Sequence, residues 1–333
     1  MQDCSNSTWP TRWFLSDVAR QRFPNRLMHG RDHGRLARVL TWKQTMLTPE
    51  RIHIYLESAA MTGDDFSLVN LLVEDVDLCL SSAVSIERRG LLQRVIPSPQ
   101  LIDPTGIERE KLRQLHITSD RFSSIDSAEV ISGDATLELK QRISESQCDL
   151  AILVRPTSLD LPHLLRELKC PTLVMRKPGP KLRRVVVAVN VEPGANENFE
   201  RYRCILEHAY WLASKCGAPL HVVQAWSLMG EEVLKSHDSP DELLASKEKR
   251  KESIHREIDR LLSETRRRQV PTVQLIEGDP KDVIVGVAQE FDDQITVVGT
   301  VARTGIPGWI FGNFAERAVQ TQASFLVVPA AGI

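Results

Sequence analysis

The chain has 333 residues, 42% hydrophobic and 26% charged, enough for two soluble domains with buried cores. Its formal net charge of −2 excludes the strongly basic balance of a nucleic-acid binder. No stretch approaches the about 18 consecutive apolar residues of a membrane-spanning helix, so membrane insertion is not expected. The basic runs "KEKRK" (247–251) and "RRR" (266–268) lie among Glu and Asp and read as solvated helix faces. The six cysteines show no C-x-x-C spacing, which points away from a zinc ribbon or redox motif. Cys148, Cys170, Cys204 and Cys216 sit among apolar residues and read as small buried hydrophobes in a reducing compartment. The start, "MQDCSNSTWPTRW", lacks the basic segment and apolar run of a signal peptide, so the expected location is cytoplasmic.

Residues 1–30 show no clear opening strand. "HGRDHGR" (29–35) places His29 and His33 four apart, as a metal-binding helix would, but Gly30 and Gly34 interrupt such a helix and no metal is predicted. "RIHIYLE" (51–57) and "AEVIS" (128–132) read as strands and 105–117 as a helix. In "VISGDATLELKQRISESQCDLAILVRP" (130–156) an apolar stretch ends in Gly-Asp, an amphipathic helix follows, then the strand "LAILV". "RPTSLDLP" leads to a last strand, "PTLVM" (171–175).

"KPGPK" (177–181) cannot lie inside a helix or a central strand, and predicts a linker between one domain over 1–176 and another over 182–333. In the second half "RRVVVAV" (183–189) is a strand and 199–216 a helix with Ile205, Ala209, Leu212 and Cys216 on one face. "LHVVQAW" (220–226) is a strand. A long charged helix covers roughly 240–268, with Ile254, Ile258, Leu261 and Leu262 as its inner stripe, and "VPTVQLI" (270–276) is the next strand. "QLIEGDPKDVIVGVAQEFDDQITVVGT" (274–300) then repeats the Gly-Asp, helix, strand pattern, with Val283, Ile284, Val287 and Phe291 at helical spacing, and "SFLVV" (324–328) closes the half. Alternating helices and short strands that are apolar on both faces predict doubly wound parallel sheets.

The two copies differ in one place. Asp149 to Pro171 spans 22 positions and Asp293 to Ser324 spans 31. The nine extra residues fall where Gly299, Gly305, Pro307, Gly308 and Gly312 lie, while the first copy has no glycine there. A glycine loop kept in one copy points to function in that copy. Gly299 lets a ligand approach the backbone at the end of its strand. Asn313 is a good N-cap, with Glu316 three residues on as in a capping box. The free N–H groups of that helix would form an anion site, with Arg303 as a fixed charge for phosphate. There is no G-x-x-x-x-G-K-[ST] and no G-x-G-x-x-G after a strand, which excludes a P-loop and a nicotinamide-type Rossmann site.

The spacing Gly299, Ala302, nine residues, Gly312 and Asn313 resembles G-x2-G-x9-G-[S/T], the ATP-binding signature of universal stress proteins. "GTVARTGIPG…FGNFAE" looks especially like their tandem-domain, E-type members. "EGDP" and "QAW" also stand where that family has similar elements. The resemblance is strong over 182–333 and weaker over about 30–176. It implies an α/β fold of two doubly wound five-stranded parallel-sheet domains, strand order 3-2-1-4-5, adenine nucleotide alpha hydrolase-like, packed as an intrachain pseudo-dimer. It further implies ATP or another adenine nucleotide, with or without Mg, bound by Ala188, Val189, Asn190, Ala225, Val298, Gly299, Thr300, Ala302, Arg303, Gly312, Asn313 and Phe314. Three positions depart from the signature: Ala302 replaces its second glycine, Asn313 its final Ser/Thr, and Asn190 the acidic residue usual after the first strand.

The expected role is regulatory binding in a stress response, with the first domain a degenerate partner lacking the phosphate loop, and a homodimer as a further assembly. Two alternatives stand beside it. One is a weak ATPase or nucleotidyl-transfer enzyme, although no G-x-S-x-G elbow or H-E-x-x-H is present. The other is a carrier of a nucleotide-sugar or lipid-type ligand, with Trp309, Ile310 and Phe311 either lining an apolar portion of it or packing against the next helix.

Overall fold

A computed structural model of the chain describes residues 48–57, 63–74, 76–83, 125, 127–131, 134–176, 181–194, 199–228, 239–265, 269–299 and 323–329. Its first group of elements is β1 (Arg51–Leu56), α1 (Gly63–Val73), β2 (Asp77–Ala83), β3 (Ser127–Ile131), α2 (Ala135–Ser146), β4 (Leu150–Val154), α3 (Leu161–Glu167) and β5 (Thr172–Met175). The second is β6 (Arg184–Ala188), α4 (Phe199–Cys216), β7 (Leu220–Trp226), α5 (Pro240–Glu264), β8 (Thr272–Glu277), α6 (Pro280–Ala288), β9 (Gln294–Gly299) and β10 (Ser324–Val328).

The described strands form one ten-stranded sheet in the order β3-β2-β1-β4-β5-β10-β9-β6-β7-β8. Neighbours run parallel except β5 and β10, which meet antiparallel with Phe325 opposite Val174 and Val327 opposite Thr172. Parallel strands need crossover helices, and those helices cover both sheet faces. That burial explains why "LAILV" is apolar throughout: all five of its residues are buried. Period-two alternation divides them between the faces. Leu150, Ile152 and Val154 join a core with Leu68, Val69 and Leu72 of α1 and with Ile205, Ala209 and Leu212 of α4. Ala151 and Leu153 join Leu139 and Ile143 of α2 and Leu161, Leu164 and Leu165 of α3 on the other face. In the second group, Val186 and Val223 pack against Val287 of α6.

The repeated Gly-Asp pairs have a local explanation. Asp134 caps α2, accepting hydrogen bonds from the N–H groups of Thr136 (3.1 Å) and Leu137 (3.2 Å). Asp279 caps α6, accepting from Lys281 N–H at 2.9 Å. Such caps satisfy otherwise orphaned donors of the first turn. Gly278 has φ +150°, and a Cβ there would lie 3.0 Å from Val283 Cγ2. Glycine is therefore required where the chain enters α6. α5 carries a full capping box: Ser239 Oγ accepts from Glu242 N–H, and Ser239 N–H donates to the Glu242 carboxylate.

Several elements differ from the sequence expectation. α1, β2 and α3 were not foreseen. β2 contains Ser81 and Ser82 within an otherwise apolar run, and α3 is only seven residues long. α5 ends at Glu264, because Thr265 is extended and its hydroxyl donates back to Leu261 C=O at 2.8 Å. Phe291 lies beyond α6, whose C-cap is Gln289. Its ring instead lies under the guanidinium groups of Arg183 (4.3 Å) and Arg184 (4.6 Å). The linker residues 177–180, the helix expected at 105–117 and the "HGRDHGR" segment lie outside the described residues.

Candidate ligand site at the carboxyl ends of β6, β7 and β9

β6 is central, flanked by β9 on one side and β7 on the other. The chain leaves β6 toward β7, while β9 is followed by β10 in the opposite direction. At such a reversal the loops diverge and leave a crevice outside the carboxyl ends of the strands. Val187 is registered with Val297 and Ala188 with Val223. Ala188 and Val298 belong to one apolar cluster. Val189 N–H extends the ladder by donating to Val223 C=O at 3.0 Å. Asn190, half-buried, is the first residue past the ladder, and Gly299, also half-buried, ends β9 opposite Val328.

The loop after β6 is held by a residue that the sequence reading did not single out. Gln224 of β7 is 1% exposed. Its Oε1 accepts from Val191 N–H at 3.0 Å, and its Nε2 donates to Val191 C=O at 2.8 Å. The amide thus acts as a strand mate for one residue and sets the backbone on both sides of Asn190 in place. Its signal in the sequence was a single glutamine inside an apolar parallel strand, where a polar side chain is buried only when its hydrogen bonds are met. Ala225, next in β7, is buried and registered with Ile276. Gly194 turns the loop with φ +80°, and Glu192 pairs with Arg250 of α5 at 2.5 Å.

Six of the expected ligand residues therefore converge: Ala188, Val189, Asn190, Ala225, Val298 and Gly299 lie at or near the carboxyl ends of three strands, β9, β6 and β7, that are neighbours in that order. The other six, Thr300, Ala302, Arg303, Gly312, Asn313 and Phe314, lie outside the described residues, as do Trp309, Ile310 and Phe311.

The corresponding end of the first group is built differently. Registers align β1 with β6 and β4 with β9, so that Glu57 stands where Val189 does. The Glu57 carboxylate accepts from Tyr55 O–H (3.0 Å), Thr157 N–H (3.2 Å) and Ser158 O–H (3.0 Å). Arg155, at the position of Gly299, adopts φ +49° and donates its N–H to Met175 C=O at 2.7 Å. The protein's own carboxylate stands at this end.

The universal stress protein family model matches residues 181–329, which are the second group of elements. Over that span the chain resembles universal stress proteins. A curated relative, "Universal stress protein E homolog" of Haemophilus influenzae, is 28% identical over 255 residues, covering 75% of this chain and 81% of its own length. Among solved structures, a functionally unknown protein from Pseudomonas aeruginosa PAO1 shares the fold at TM-score 0.58 and 21% identity, covering 86% of this chain and 94% of its own. A universal stress protein from Archaeoglobus fulgidus does so at TM-score 0.50 and 14% identity, covering 86% and 97%. No helix among the described residues is long and apolar enough to cross a membrane.

Proposed function

We propose that the chain is a tandem, E-type universal stress protein whose second domain, 182–333, binds ATP or a related adenine nucleotide, with or without Mg, and whose first domain, 1–176, is its structural partner. The two domains pair through β5 and β10 as an intrachain pseudo-dimer. The observation that carries this reading is the convergence of Asn190, Ala225 and Gly299 at the carboxyl ends of β6, β7 and β9, with Gln224 pinning the backbone beside Asn190. The pinned strand ends fit a purine: the Asn190 amide offers both a donor and an acceptor to a base edge. Gly299 opens the approach to the loop whose glycines and Asn313-capped helix would hold the phosphates. The role is regulatory. Ligand acts by binding one conformational state or one partner complex more tightly than another. The E-type assignment is supported by the Haemophilus influenzae relative, which the chain matches across both halves.

The test is mass spectrometry of ligand released from protein purified from cells, followed by calorimetry with ATP with and without Mg. Release of an adenine nucleotide, with binding lost in Gly312→Trp and Gly299→Val, supports the proposal. Release of a nucleotide-sugar or lipid-linked molecule instead identifies a carrier. ATP turnover above background that disappears in Gly312→Trp makes the protein an enzyme.

A further inference from the structure

Two cysteines distant in sequence meet at the amino end of the sheet, away from the strand ends discussed above. Cys148 immediately precedes β4 and Cys170 precedes β5, and their sulfurs lie 3.8 Å apart across 22 residues of chain. Both thiols are free. β4 and β5 are registered from Ala151 with Thr172, and Ala151 N–H donates to Pro171 C=O at 2.9 Å, so the backbones carrying the two thiols are held side by side. A disulfide needs the sulfurs at about 2.05 Å, a closure that χ1 rotation on neighbouring strands can supply. Cys148 is 8% exposed and Cys170 is half-buried, so small solutes reach the pair at Cys170's side.

We infer that Cys148 and Cys170 form an oxidisable dithiol that closes to a reversible disulfide under hydrogen peroxide. Cys148 is the nucleophile. Its thiol is held below the usual range first by its hydrogen bond with Cys170, then by the Ser146 side chain and the His53 backbone, against the opposing effect of burial. Cys170 is raised well above the usual range by the same contact and by burial. His53 and Ser146, which contact the Cys148 thiol, also line a cavity of about 210 Å³ with Ser81, Ser127 and Arg142.

The chemistry balances as follows. The Cys148 thiolate attacks one oxygen of hydrogen peroxide; an S–O bond forms, the O–O bond breaks, and the departing hydroxide takes a proton to become water. Cys170 releases its proton to solvent and attacks the Cys148 sulfur. The S–S bond forms, the S–O bond breaks, and the hydroxide that leaves is protonated to a second water. Two thiols lose two electrons and two protons, and peroxide is reduced to two waters.

The test treats the full chain with hydrogen peroxide, blocks remaining thiols with a maleimide, and maps peptides by mass spectrometry with and without dithiothreitol. The expected result is a linked peptide pair containing Cys148 and Cys170 that reductant releases. It forms roughly tenfold faster than Cys216 is oxidised, because burial pushes the Cys216 thiol up to about 12. In Cys170→Ser, Cys148 is trapped as a sulfenic acid that a dione probe captures. In Cys148→Ser, Cys170 becomes no more reactive than Cys216. Oxidation of Cys148 and Cys170 at the rate of Cys216, or linkage of either only to another cysteine or another chain, overturns the inference from the wild-type protein alone.

Discussion

The two groups of five strands solve the same packing problem and end differently at the same place. At β6 and β9 a buried amide, Gln224, holds the backbone next to Asn190, which stands half-buried at the strand ends. At β1 and β4 an acidic side chain, Glu57, turns inward and collects three donors from Tyr55, Thr157 and Ser158. A carboxylate at this end repels an incoming anion. The core shows a second contrast. Where the second group has Val185 and Val222, the first has His53 and Ser81, joined at 2.9 Å and both buried. The two groups thus share one strand order while the polar residues inside them differ.

Replacing Gln224 with Leu tests the contrast most severely. Both backbone groups of Val191 lose their partner, and the expected loss is about 3 kcal/mol of unfolding free energy. Urea titration measures it, and calorimetry is expected to show adenine-nucleotide affinity falling with it. An unchanged urea midpoint would show that the loop after β6 does not depend on this amide.

Acid should weaken the first group at His53, and by the same route the second at His208, whose pKa burial also lowers. Burial, followed by the charge of Arg142, lowers the His53 pKa from 6.5 to about 4. As pH falls below 6.5 the unfolded chain takes up this proton before the folded one does. Stability that is present above pH 6.5 is therefore lost progressively down to about pH 4, by about 3 kcal/mol in all. Comparing urea midpoints of the wild type and His53→Gln between pH 7 and pH 4 isolates this slope, which the variant is expected to lack.

Glu57→Ala removes the acceptor shared by three donors and is expected to cost about 2 kcal/mol in urea. Nucleotide affinity should stay unchanged, since the proposed site belongs to the other group. A change in affinity would couple the two ends. The smallest effects are expected at the matched helix caps. Asp134→Ala and Asp279→Ala should each cost about 1 kcal/mol by urea titration, and similarly, because the two aspartates make the same kind of bond.

Much of this was legible in one dimension. α4 and β7 were read with the boundaries observed, because an apolar stripe at helical spacing and a β-branched run are local signals. The Gly-Asp repeat stood before a helix in both halves, and only the structure shows that its aspartates cap α2 and α6. β2 was not legible, since two serines in seven residues carry no strand pattern. Phe291 fell at helical spacing but stacks under two arginines instead, because α6 ends before reaching it.

The sequence by itself determined which segments are apolar enough to be buried, the bounds of α4 and β7, that an apolar stretch, Gly-Asp and a helix recur in both halves, and that only the second half clusters glycines after "ITVV". These are properties of neighbouring residues. The tertiary structure alone decided that Gln224 grips Val191 thirty-three positions away, that Glu57 gathers Tyr55, Thr157 and Ser158 at the first group's strand ends, and that Cys148 meets Cys170. Each is a contact between strands that pair through crossovers, and the hydrogen-bonding partner of a buried polar group is set by sheet register, which no local pattern encodes.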